Sequence, residues 1–157
     1  QSGSPTRRSD RQDAFRKAVL LYSHPAVLTA FDGMYYEAAH LQPKKEDGPY
    51  EALSGVLLPS HVHSWFDGPL TGIGGPAFYF NYTPLDDGYC PLKLDVVWKL
   101  NFPQEMRKLA AFKDPIVLKH MSEDHRMRRC VFLDQRRNWY LRQYDQPPNE
   151  GDVDMAP

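Results

Sequence analysis

Between Gly68 and Pro91 the chain places glycine or proline at nine positions: Gly68, Pro69, Gly72, Gly74, Gly75, Pro76, Pro84, Gly88 and Pro91. Proline cannot donate to a β-ladder and glycine favours turns and bulges, so this density rules out long, regular strands through the middle of the chain. Across 157 residues there are 14 prolines and 10 glycines, which extends the same expectation of irregular backbone to the whole fold. Yet 41% of the residues are hydrophobic and 13% aromatic, too many for a disordered chain. The length is that of one ordinary domain able to bury its own core. The expected fold is α+β, with an N-terminal helix pair, a small irregular antiparallel sheet in the middle, C-terminal helices and flexible arms at both ends.

Residues 1–8, QSGSPTRR, are small, polar and basic and read as a flexible arm. Residues 9–145 read as a single globular domain. Ser9 with Gln12 forms a capping box, and Phe15, Ala18, Val19 and Tyr22 recur at helical spacing. His24-Pro25 breaks that helix, and Val27, Phe31, Met34, Tyr35 and Ala38 continue a second stripe to Leu41. Leu53 to Leu58, Ala77 to Tyr82 and Leu92 to Leu100 are short, β-prone apolar segments and read as strands. Pro103 opens a helix that runs towards Lys113, and Asp114-Pro115 ends it and starts another. Residues 124–144 read as helix in preference to two strands, CVFL and WYLRQ, around a turn. Residues 146–157 are acidic and proline-containing and read as a tail.

Two histidines separated by one residue, His61 and His63, would point to the same side of a strand. Neutral imidazoles suit a transition metal such as zinc or iron, and Asp67 could complete a set with positions left open for water or substrate. The spacing of Gly55, His61, His63, Asp67 and Gly74 resembles the first metal-binding motif of cupins, with aspartate where that family has glutamate. The resemblance covers about twenty residues and implies a metal held inside a β-barrel. Cupins take a further histidine from a second motif on later strands, whereas His120 and His125 lie here in a segment read as helical. A structural loop carrying two solvent-accessible or hydrogen-bonded histidines is the expectation favoured over the metal site.

Arg126, Arg128, Arg129, Arg136, Arg137 and Arg142, with Trp139 and Tyr140, make the strongest local charge asymmetry, since Asp134 alone is acidic between them. Guanidinium groups bind phosphates and stack on bases, so RNA is one conceivable partner. Arginine, tryptophan and tyrosine are equally the residues of protein interfaces, and a formal net charge of −1 gives no general attraction for polyanions. Cys90 and Cys130 lack CxxC spacing and read as two reduced thiols of an intracellular protein, in preference to a single bridge between them. The Asn81-Tyr82-Thr83 sequon is followed by Pro84, which disfavours modification. With no run of roughly 18 apolar residues, no membrane span is expected, and the protein should be soluble, or organellar if a targeting peptide has been removed.

The functional expectation is a non-catalytic interaction protein or accessory subunit of a larger assembly, without cofactor and with other protein subunits as partners. A small metal-dependent enzyme using His61, His63 and Asp67 is the alternative, and an RNA-binding protein the second.

Overall fold

The computed structural model describes residues 4–22, 27–30, 35–42, 51–68 and 75–144, with the side chains of the first helix described over 11–20. The order of elements is α1 (Ser4–Tyr22), β1 (Tyr36–His40), a single 3-10 turn (Ala52–Ser54), β2 (Gly55–Pro59), α2 (Ser60–Asp67), β3 (Phe78–Pro84), β4 (Leu92–Trp98), α3 (Gln104–Lys108), β5 (Ile116–Leu118) and α4 (Glu123–Tyr144). This is an α+β fold with two small antiparallel sheets, β1-β2 and β3-β4-β5. The expected tail of 146–157 lies outside the described residues, and α1 starts at Ser4, inside the stretch read as an arm.

The second N-terminal helix is replaced by a strand. Tyr36 to His40 pairs residue for residue with Pro59 to Gly55, burying Ala38 and Ala39, while Val27 bridges Leu57 and Thr29 bridges Phe112. The physical reason is β2: Val56, Leu57 and Leu58 are all fully buried, and such a strand needs a hydrogen-bonding neighbour on its edge. The alanines and tyrosines of 35–41 satisfy either period, so pairing decides between them.

α1 lies on this two-stranded sheet. Phe15 and Val19 are buried with Ala38 and Leu57, and Phe15 stacks on His40 with ring centroids 4.2 Å apart. Gly55 permits the approach: a Cβ there would sit 2.7 Å from Phe15 Cζ and would also collide with Val19.

Two strands of the three-stranded sheet were expected: β3 falls on the segment read at 77–82 and β4 on that read at 92–100. Phe78 and Phe80 face the same core as Leu92, Leu94, Ile116 and Leu118, whereas Asn81, Thr83 and Asp95 are exposed on the other side. The helix expected from Pro103 lasts five residues, and the one expected after Pro115 is instead β5, whose Ile116 to Leu118 pairs with Leu94 to Leu92. Aromatic packing joins the two halves, with Phe66 against Phe78 and Phe80, and Trp98 stacked on Phe102 at 5.1 Å. The long C-terminal helix is present as read, and Arg129, Phe132, Leu133, Arg136 and Tyr140 form its buried stripe. Cys90 and Cys130 are free thiols. Among the described residues no helix is long and apolar enough to cross a membrane.

Candidate functional site

The segment holding His61 and His63 is the helix α2, which changes what the two imidazoles can do together. Pro59 ends β2 in an extended conformation, and Val62, Trp65 and Phe66 then recur at helical spacing and are buried. Gly68 stops the helix with φ of +98° and donates its N–H to Ser64 O. Residues two apart on a helix lie about 200° apart around its axis, so His61 and His63 diverge where strand geometry would have aligned them. His61 Nε2 sits 2.9 Å from Leu109 O, and its ring meets Trp65 edge-on.

His63 turns instead into a chain of charges. Its Nδ1 lies 2.7 Å from Glu37 Oε1 and its Nε2 lies 3.0 Å from Asp67 Oδ2. With an acceptor carboxylate beside each nitrogen, the imidazolium is the form in which both N–H groups donate. Glu37 also accepts the Ser60 hydroxyl at 2.6 Å, and Asp67 accepts from Arg136 Nη2 at 3.4 Å. Burial works against the charged ring, but the hydrogen bonds and charges of Asp67 and Glu37 outweigh it and hold the His63 pKa above its ordinary value. The two carboxylates are likewise held low. Burial opposes ionisation of each, and it is overcome at Glu37 by Ser60 and His63 and at Asp67 by His63 and Arg136.

This arrangement differs from the cupin-like ligand set. His61 points elsewhere, and the two nitrogens of His63 face carboxylates on opposite sides of the ring. Among the described residues, no group of three or more His, Cys, Asp and Glu side chains is arranged to hold a metal ion.

The arginine segment is the second candidate, and its geometry divides the residues that sequence grouped together. Arg129 is 0% exposed and Arg136 2% exposed, which takes both out of any surface that could meet phosphates. Arg129 donates to Gly55 O at 2.9 Å and, through Nε, to His120 Nε2 at 3.0 Å. That fixes the tautomer of His120, whose Nδ1–H donates to Cys90 O at 2.8 Å. Burial first, then the cations Arg129 and Arg126, push the His120 pKa down to about 4, against the pull of its bond to Cys90 O.

Arg136 donates to the carbonyls of Leu41 at 2.8 Å, Phe66 at 3.3 Å and His40, while its guanidinium lies over the rings of Phe66 and Trp139. Burial lowers the pKa of each of these two arginines to about 10, which leaves both charged at neutral pH. They are fasteners: seven residues apart on one helix face, they tie α4 to the carbonyls at the ends of β1, β2 and α2. Tyr140 is also core, packed on Tyr79 at 4.7 Å.

The other arginines are nearer the surface. Arg126 donates to Leu85 O and Pro91 O and pairs with Glu123 at 2.6 Å. Arg128 forms a two-pronged contact with Glu51 at 2.9 and 3.0 Å, Arg137 lies 3.8 Å from Asp134, and Arg142 is exposed. Trp139 is half-buried.

Sequence reasoning missed Glu37, Ser60 and the structural part of His120. For Arg129 and Arg136 a signal existed, because both keep phase with Phe132, Leu133 and Tyr140. No family model matches the chain, and no curated protein or solved structure shows significant similarity to it.

Proposed function

We propose that the protein is a non-catalytic interaction protein, an accessory subunit of a larger assembly. The observation that carries this reading is a group of large apolar side chains in solvent around the start of α4: Tyr89, Met121, Met127 and Val131, exposed by 71%, 75%, 58% and 42%. The backbone places them near one another. His120 N–H donates to Tyr89 O, and Arg126 reaches Leu85 O and Pro91 O, so the turn between β3 and β4 abuts the first turns of α4. Met121 stands two residues before that helix, and Met127 and Val131 stand one turn apart on its outward side. Exposed methionine and tyrosine grouped in this way form an adaptable apolar contact surface.

The chemistry of the two candidate sites supports the same reading. The buried arginines and the His63 network are engaged with groups of the protein itself, which is what structural ties require.

Native mass spectrometry on the protein isolated from its source without chelator tests the proposal, because one spectrum reports partner mass and bound ion together. A mass well above 18.1 kDa, lost from a Met127→Glu/Val131→Glu variant of unchanged circular dichroism, is the expected result. A single chain carrying one transition metal would overturn it.

A further inference from the structure

We infer that the outward face of α4 pairs with the same face of a second copy of this chain, antiparallel and two-fold symmetric, with Asp124 of each copy against Arg142 of the other. The inference rests on the interaction-protein proposal and names its partner. At 100° per residue, Asp124, Met127, Val131, Asn138 and Arg142 fall within about 60° of arc, opposite the stripe that Arg129, Phe132, Leu133, Arg136 and Tyr140 bury. Asp124, Met127, Asn138 and Arg142 are all exposed, and Val131 is the most central apolar side chain among them.

Charge selects the orientation. On this face the acidic residue stands in the first turn and the basic residue in the last, some 27 Å apart at 1.5 Å per residue. Arg128, at the margin, is already matched by Glu51. A parallel pair would set Asp124 against Asp124 and Arg142 against Arg142. An antiparallel pair sets opposite charges together at both ends, which is the self-complementarity that a two-fold interface requires. With the axis level with residue 133, Val131 of one copy comes level with Gln135 of the other. One helix face is a small interface, so the association is weak and concentration-dependent.

Sedimentation equilibrium of the full chain over micromolar to submillimolar concentrations tests this. The mean mass is expected to rise from 18.1 kDa towards twice that value. Asp124→Arg alone and Arg142→Asp alone are each expected to weaken association by about tenfold or more. The two reversals combined should return it to within about threefold of the original. That recovery cannot come from helix stability, because both reversals oppose the helix dipole and their combination opposes it more.

A constant single-chain mass, a dimer indifferent to the single reversals, or a combined variant that stays weak would each overturn the inference. A single-chain mass here, beside a mass from source that includes another protein, sinks the self-pairing and leaves the interaction-protein proposal standing. A single-chain mass in both experiments sinks both.

Discussion

Replacing Arg136 by methionine tests the claim that this arginine is a fastener rather than part of a recognition surface. Methionine keeps much of the stem volume and removes every donor. The carbonyls of Leu41, Phe66 and His40 belong to the backbone and stay where they are, and Asp67 loses its cationic neighbour while keeping His63. Stranding a buried acceptor costs about 1–3 kcal/mol. Some of these carbonyls retain other partners or reach water, so the expected loss is about 3–5 kcal/mol, in the range seen when one member of a buried charged network is removed. Against a total stability of about 5–15 kcal/mol this is a large fraction.

Urea unfolding followed by tryptophan fluorescence reads it directly, since Trp139 lies over the Arg136 guanidinium. With a slope of about 1.5 kcal/mol/M, the midpoint should fall by roughly 2–3 M. Arg142→Met, on the exposed side of the same helix, should change stability by less than about 0.5 kcal/mol. If Arg136→Met were as stable as Arg142→Met, the fastener reasoning would be wrong and Arg136 would return to the surface set.

Stability should pass through a maximum near neutral or slightly acidic pH. His63 has a folded pKa above its unfolded value of about 6.5, so its contribution is complete below that value and fades as pH rises through the folded pKa; His63→Gln should flatten this alkaline limb of urea midpoint against pH. On the other side, His120 has a folded pKa of about 4, so the unfolded chain takes up the proton first and stability on the order of 3 kcal/mol drains away between pH 6.5 and 4. Glu37 and Asp67, held low by their partners, add to the loss as pH falls further through their folded values; an acid limb unchanged by His120→Gln would refute the His120 assignment. Gly55→Val should destabilise by about 1–3 kcal/mol through collision with Phe15 and Val19, and a thermal midpoint equal to the original would show that α1 does not approach β2 this closely. Phe132→Ala, which empties a fully buried site under α4, should cost about 3–5 kcal/mol by denaturant titration, whereas Val131→Ala beside it should cost far less.

The residues 35–41 show where reading from sequence ran out. Ala38, Ala39 and Leu41 carry no strong preference of their own, and what makes 36–40 a strand is the unpaired edge of β2 lying alongside. The HxH segment was misread for the converse reason: glycine and proline around it argued for a loop, but Val62, Trp65 and Phe66 held a helical period inside it. Glu37 could be joined to His63 only once β1 and α2 were placed side by side. That contact, with the one to Asp67, rather than residue type, is what favours the charged form of His63.

By itself the sequence pointed to the α+β class, to short strands within 77–82 and 92–100 and to the first helix, and it favoured a helix over a hairpin for 124–144. Each of these depends on local periodicity or on turn chemistry, which neighbouring residues carry in full. Tertiary structure alone decided which charges are inside. An arginine looks the same in sequence whether its donors meet water or backbone carbonyls. Arg129 and Arg136 are buried because Gly55, His40, Leu41 and Phe66, distant in the chain, bring their carbonyls to the inner face of α4. The cost of desolvating a guanidinium is met by those oxygens, and no local pattern records where they will be.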